Sequence, residues 1–484
     1  MSTSLPEPEV GRAPEAHAAG GHPDLTFWQV VRLSLQGQHL DYTAVPLNRA
    51  VLLLAVPMVL EMIMESLFAV VDVFWVSRLG SEAVAVVGLT ESVMTLVYAV
   101  AIGISFAATA IVARRIGEKD AERAAQAAGQ IIVLGVTCSA AMGVAMSYFA
   151  PDILRLMGAS ESVVSLGTDF ARLMLGCNVT VFMIFLINAV FRGAGDAVLA
   201  MRTLWLANAL NIVLGPFFIF GWGPFPELGV TGAAVATNIG RGVGVLYQLW
   251  HMAGYHSRVR VRPRHLTPVF ADLRAIMTTA STGIAQLLIG TTSWVGLFKI
   301  LAAFGSTALA GYTIAMRIVM FALMPAWGLA NAGATLVGQN LGAGKPERAE
   351  EAIRIASRFN VLFLGVIGLL FVLLADPIVR LFTSDLPVLE HGIRSLWIIS
   401  LAFPLYAYGM CLEAAFNGAG DTWTPTRLNF FCFWLLQIPL AWLLAEFFRL
   451  GPLGVFIAVP VGFSALAVWS AALFRRGRWK QQQV

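Results

Sequence analysis

Three carboxylates, Glu61, Glu65 and Asp72, lie in one apolar run that opens near Val51. On a helix turning 3.6 residues per turn they fall within about 40° of arc of one another, a single stripe. An ionisable group at bilayer depth is costly and marks an ion or substrate pathway, or a proton relay. Such a stripe cannot face hydrocarbon along its whole length, so it must line a cavity or meet a partner. Pro57 stands one turn before Glu61 on the same side, where a proline removes a main-chain hydrogen bond and permits a bend. Asp72 could instead cap the helix or pair with Arg78, and either glutamate could approach the opposite interface.

The composition says what surrounds this stripe. Of 484 residues, 58% are apolar and only 12% charged, with a mean hydropathy of +0.76. A soluble domain carries about 25% charge, so too little polar surface remains to face water. A soluble enzyme, a disordered chain, a fibrous repeat and a disulfide scaffold are excluded, and the chain belongs in a bilayer. Runs of this length and uniformity predict membrane helices rather than barrel strands.

Twelve apolar segments are centred near residues 64, 100, 136, 175, 210, 240, 290, 323, 361, 400, 435 and 464, separated by turn and charge clusters. Four of the separators recur. Gly80-Ser81 matches Gly305-Ser306, and Glu122-Arg123-Ala124 matches Glu347-Arg348-Ala349. Ile153 and Arg155 match Ile378 and Arg380, and Gly193-Ala194-Gly195-Asp196 matches Gly418-Ala419-Gly420-Asp421. Every pair is 225 residues apart. The expected fold class is therefore an all-α polytopic membrane protein of twelve transmembrane helices, built as two parallel six-helix repeats. The expected organisation is a tail over 1–48, an N-lobe over 49–255, a basic linker over 256–274, a C-lobe over 275–475 and a short tail over 476–484. Residues 1–23 read as disordered. Residues 24–36 are spaced loosely as a short amphipathic helix, either docked at the interface or simply part of the tail.

The basic residues predict orientation. One side collects Arg114, Arg115, Lys119, Arg123, Arg192, Arg202, the arginines of the linker, Lys345, Arg348, Arg354, Arg358, Arg427, and Arg475, Arg476, Arg478 and Lys480. The other keeps Arg78, Arg155, Arg380, Arg394 and Arg449. Both termini are expected in the cytoplasm.

The duplication projects Glu61 onto Gln286, Glu65 onto Gly290 and Asp72 onto Leu297, so charge coupling is expected mainly in the first lobe. Asn188 projects onto Glu413, and Glu413, Gln286 and Gln437 are candidates for a C-lobe cavity. Lys299 is a rare intramembrane lysine, which snorkelling to the outer interface explains as well as a substrate role does. Cys138, Cys177, Cys411 and Cys432 lie inside apolar segments, as small buried hydrophobes do. The seven histidines fall in tails, loops or helix ends and form no HExxH, so no metal is expected. GQNLGAGKPE misses the phosphate-loop pattern, because Pro346 stands where a Ser or Thr would hold magnesium. With no nucleotide site and no cofactor, the driving energy is expected from a gradient.

These motifs together resemble the multidrug and toxic compound extrusion (MATE) family, in its DinF-like bacterial branch. The matching text is Pro57-x3-Glu61, Val71-Asp72-Val73-Phe74-Trp75-Val76, Arg78-Leu79-Gly80 and Arg192-Gly193-Ala194-Gly195-Asp196. It continues with Asn211-Ile212-Val213-Leu214-Gly215-Pro216, Leu228-Gly229-Val230-Thr231-Gly232, Val337-Gly338-Gln339-Asn340-Leu341-Gly342 and Gly418-Ala419-Gly420-Asp421-Thr422. The likeness runs from about residue 48 to 475. It implies an antiporter, not an enzyme, of two six-helix lobes in a V, exporting small organic and often cationic amphipathic compounds by alternating access. It implies a monomer in the bacterial inner membrane, with no nucleic-acid or nucleotide partner. By motif position, Asp72 matches the family's coupling aspartate, Pro57 the proline at which the first helix bends, and Asn188 and Asn211 polar partners in the same cavity. Where many members carry an aspartate this chain has Gly215, so a two-carboxylate sodium site is incomplete and protons are the expected coupling ion, with sodium the alternative. A lipid-linked oligosaccharide flippase of the wider superfamily is the runner-up, expected to carry more cavity arginines. An intramembrane enzyme and a passive channel are the readings from other classes.

Overall fold

The computed structural model describes residues 26–37, 40–254 and 257–482. The tail expected to be disordered, 1–23, lies outside the described residues. Among those residues every regular element is helical. After a short α1 (Phe27–Gln36), the first repeat comprises α2 (Leu47–Ser77), α3 (Ser81–Gly117), α4 (Ala121–Tyr148), α5 (Ala150–Leu156), α6 (Glu161–Gly176), α7 (Val179–Ala194), α8 (Ala197–Phe220) and α9 (Val230–Ala253). The second comprises α10 (Phe270–Ala302), α11 (Ser306–Gly342), α12 (Pro346–Leu373), α13 (Ala375–Arg380), α14 (Leu386–Ser400), α15 (Phe403–Ala419), α16 (Trp423–Asn429), α17 (Ile438–Trp442) and α18 (Pro452–Arg475). The elements repeat in the same order, and equivalent turns share backbone geometry. Gly80 and Gly305 both sit at φ 103°, a left-handed conformation open to residues without a Cβ.

Among the described residues, ten helical spans are long and apolar enough to cross a membrane, one of them running through α6 and α7. The pair α14 and α15, bent by 55°, makes an eleventh. The twelfth, α9, has the length, but Thr231, Asn238, Arg241 and Gln248 make it too polar to pass on composition. Two segments read as single helices are thus broken: one parts at Cys177–Asn178, the other at Leu401–Ala402, just before Pro404. The helix after α16 widens into π turns over Phe430–Gln437 and Leu443–Phe447, a departure common near functional sites.

Glycines at repeat-equivalent positions let the lobes cross. A Cβ on Gly117 would lie 2.0 Å from the Gln339 carbonyl oxygen, and one on Gly342 would lie 2.1 Å from that of Arg114. Likewise Gly103 packs on the backbone of Ile284, and Gly328 on that of Met58 and Val59. Each contact is the image of the other at the 225-residue offset, as a pseudo-two-fold axis requires. Across the same junction Thr335 Oγ1 donates to the Arg192 carbonyl (3.1 Å) and Gln339 Nε2 to that of Gly193 (2.9 Å). The lobes therefore meet at the end that carries the basic turns. Toward the other end, α2 exposes Leu67, Val70, Val73 and Phe74.

A strap over residues 40–46 ties this basic end together. Arg258 donates to the carbonyls of Leu40 and Ala194, Lys345 Nζ to that of Thr43 (3.0 Å), and Arg348 to that of Val45. The preceding α1 is docked on the protein, with Val30 and Ser34 buried and Arg202 Nη2 donating to the Leu35 carbonyl (3.1 Å). Its Phe27 and Trp28 remain exposed.

Candidate functional site

The carboxylate stripe of α2 faces inward and meets partners from three helices. Glu61 is 1% exposed. Its Oε1 accepts from Arg192 Nη1 (2.8 Å) and from Asn188 Nδ2 (3.1 Å), which stand one turn apart on α7. Asn188 Oδ1 in turn accepts from Gln248 Nε2 of α9 (2.6 Å). Glu61 Oε2 is buried with no hydrogen-bond partner. An amide and a guanidinium on one oxygen hold the carboxylate in a fixed pose, as a buried charge requires.

One turn on, Glu65 Oε2 accepts from Asn208 Nδ2 of α8 (3.0 Å), while Oε1 lies 3.9 Å from Arg241 Nη2. Arg241 is 5% exposed, donates to Tyr98 OH of α3 (3.1 Å), and lies over the rings of Phe68 and Tyr98. Asp72 shares the electrostatic environment of Arg241 and of Glu91 on α3. Glu91 in turn lies within reach of Arg317, an exposed residue on α11 of the other lobe. The arrangement alternates sign: Arg192 on Glu61, Arg241 between Glu65 and Asp72, and Arg317 opposite Glu91.

Several expectations change here. Arg78 packs over the rings of Phe74 and Trp75 and not on Asp72. Asn211 donates to Thr237 Oγ1 of α9 (2.7 Å) and reaches no carboxylate among the described residues, because it stands on the side of α8 that packs on α9. Arg192, counted above as a loop charge, is folded inward onto Glu61. Arg241, Arg317, Glu91, Tyr98, Asn208, Thr237 and Gln248 escaped notice. A lone arginine at the centre of the segment around residue 240 was the available signal. Pro57 is buried, and α2 runs through it without interruption.

In the C-lobe the acid and the amide exchange places. The images of Glu61, Asn188 and Arg192 are Gln286, Glu413 and Asn417. Gln286, Asn417 and Gln437 are buried, and Glu413 is partly so. Glu413 Oε1, Gln286 Oε1, Asn417 Oδ1 and Gln437 Oε1 are each sealed from solvent without a donor among the described residues. Among the described residues no guanidinium pairs with Glu413, so this lobe carries a donor-poor mirror of the N-lobe cluster. Lys299 is exposed in the last turn of α10.

The comparisons agree with this architecture. The chain is 28% identical to the probable multidrug resistance protein NorM of Thermotoga maritima, over 94% of this chain and 98% of that one. It is 26% identical to the probable multidrug resistance protein YoeA of Bacillus subtilis, over 90% and 95% of the two chains. Among solved structures it superposes, with a TM-score of 0.86 and 27% identity, on a MOP superfamily transporter from Pyrococcus furiosus described as having a binding pocket of reversed polarity. That match covers 92% of this chain and 98% of the other. The MatE family model matches residues 57–217 and 284–443. With each repeat claimed by one copy of that model, the chain belongs to the MATE family of transporters and is not an enzyme.

Proposed function

We propose that this protein is a secondary antiporter that exports small organic, often cationic and amphipathic, compounds in exchange for protons by alternating access. It would act as a monomer in the bacterial inner membrane, with the basic face and both termini in the cytoplasm, and with lobes spanning 49–255 and 275–475. The observation that carries this reading is the stripe of Glu61, Glu65 and Asp72, of which Asp72 alone has no direct hydrogen bond or ion pair among the described residues. An acid without a fixed partner is free to exchange a proton or hold a cation. Glu61 and Glu65 are committed to Arg192, Asn188 and Asn208, and so they shape the field rather than carry the ion.

Protonation of Asp72 removes one negative charge beside Arg241. A cationic substrate then loses its electrostatic counterpart, while the exposed half of α2 beyond Pro57 is free to bend. Sodium is the alternative ion, and the unpartnered oxygens around Glu413 are where it would find acceptors. A lipid-linked flippase draws some support from the inward arginines. Two of these, Arg192 and Arg241, are already neutralised by carboxylates, which leaves Arg317 as the exposed one.

The test is transport of a fluorescent organic cation in everted vesicles, with pH and sodium gradients imposed separately. Transport driven by pH alone and abolished by Asp72→Asn is the expected result. Transport driven only by sodium, or undiminished in Asp72→Asn, would overturn proton coupling at this residue.

A further inference from the structure

A cavity of about 220 Å³ opens on the basic face of the C-lobe, bounded by α15, α16, the following π turns and the end of α18. Arg427, Arg476 and Arg478 line it, over a floor that includes Phe416, Leu428 and Trp479. The floor is rigid. Trp479 is 1% exposed, stacks on Phe474 at 4.8 Å and donates to the Phe474 carbonyl, and Lys480 next to it is paired with Glu350 at 2.6 Å. The acid in the lining, Asp421, accepts from the backbone N–H and the hydroxyl of Thr424 and pairs with none of the three arginines. No carboxylate among the described residues forms an ion pair with Arg427, Arg476 or Arg478; Arg427 only overlies the Trp423 ring.

The duplication makes this unusual. The image of Arg427 in the N-lobe is Arg202, and the image of Asp421 is Asp196. Arg202 donates to the Leu35 carbonyl in the last turn of α1, and the corner beside Asp196 is closed by Leu33, Ser34, Leu40 and Tyr42, leaving only about 10 Å³. The first lobe thus fills its corner with an appended segment that offers oxygen acceptors, whereas the second presents three arginines with none. From the mouth of the cavity, Phe430, Phe431, Trp434 and Leu435 continue as an exposed apolar wall along the helix toward the membrane core.

We infer that this cavity binds the phosphate of an anionic phospholipid, the acyl chains lying along the wall of Phe430, Phe431 and Trp434. Guanidinium groups bind phosphate oxygens in paired, charge-assisted hydrogen bonds. Basic pockets between helices on the cytoplasmic side are suited to anionic headgroups. The apolar wall selects a phosphate that arrives with hydrocarbon attached over the same group free in solution. The inference rests on the cytoplasmic assignment of the basic face only for the leaflet that supplies the lipid, not for the chemistry of the site.

The experiment is titration of the purified full chain in phosphatidylcholine nanodiscs with short-chain phosphatidylglycerol, read by native mass spectrometry and by quenching of tryptophan fluorescence. Parallel titrations use short-chain phosphatidylcholine and inorganic phosphate. Saturable binding of phosphatidylglycerol is expected, weakened about fivefold by each of Arg427→Gln, Arg476→Gln and Arg478→Gln. Arg202→Gln, in the occupied corner, should leave it unchanged, and Arg427→Lys should retain part of it. An unchanged size-exclusion profile and unfolding temperature in detergent confirm that each variant is folded. Equal affinity for phosphatidylcholine, equal affinity for inorganic phosphate, or lipid binding insensitive to all three substitutions would each overturn the assignment.

Discussion

Arg192 Nη1 lies 2.8 Å from Glu61 Oε1 inside the first lobe, and both side chains are almost wholly withdrawn from water. Removing one member of a buried ion pair strands the other charge, at a cost of about 3–5 kcal/mol. Arg192→Gln should therefore lower the unfolding temperature in detergent markedly, and Arg192→Lys should restore part of the loss. Double Glu61→Gln/Arg192→Gln should be less unstable than the sum of the two single variants, since neither charge is then left alone. Additive effects would mean the pair is not coupled.

Gly117 and Gly342 are images of one another and make the same contact from opposite lobes, each against a main-chain oxygen of its partner helix. Alanine at either position has no room, and forcing a methyl into packed backbone costs about 1–3 kcal/mol. That cost applies only while the basic end is closed, so it should shift the population toward opening there by about 5- to 150-fold. Spin labels at Glu118→Cys and Ala343→Cys would report this as growth of a longer distance in either glycine variant. Symmetry demands similar shifts from both; a large effect from one and none from the other would contradict the paired crossing.

The strap at the basic end gives a pH prediction outside the membrane. Burial pushes the Asp41 carboxyl up, but hydrogen bonds from Thr43 and the nearby Lys119 and Lys345 outweigh it and hold the group below its usual value of 3.8. A depressed folded value means stabilisation that is present above the unfolded value and lost as pH falls through the folded one. Acidification from about pH 4 downward should thus loosen the strap, and Asp41→Asn should flatten that part of the stability profile. Thermal unfolding of both proteins from pH 6 to 3 measures the difference. Identical slopes would show that Asp41 contributes nothing to it.

Much of this was legible before any coordinates. The 225-residue offset already linked Gly193 to Gly418, and the structure uses both glycines at backbone crossings. The stripe of Glu61, Glu65 and Asp72 followed from helical period alone. Its cations did not. Arg192 borders the Gly193–Asp196 turn, so by position it passes for a loop charge, and only packing turns it inward. Arg241, the lone arginine of its span, was the available signal, muted because α9 is the least apolar of the spans. The break before Pro404 had a local cause, since a proline has no N–H to donate to the carbonyl four residues back, that of Ser400. The break at Cys177 had no comparable marker.

The exchange of acid and amide between the lobes yields a contrast that separates structural from exchangeable carboxylates. Glu61 is fixed by Arg192 and Asn188, whereas Glu413 Oε1 is sealed from solvent with no donor among the described residues. Neutralising Glu61 leaves the Arg192 guanidinium buried without its counter-charge, so Glu61→Gln should destabilise by about 3 kcal/mol or more. Neutralising Glu413 removes a charge that no cation among the described residues balances, and it gives that buried end of the side chain an N–H to donate. Glu413→Gln should be neutral or stabilising by about 1 kcal/mol. Thermal unfolding in one detergent at neutral pH orders the two variants. If Glu413→Gln proves the more damaging, a cation or water must bind its carboxylate in the working protein. Sodium-dependent protection of the native chain would then identify which.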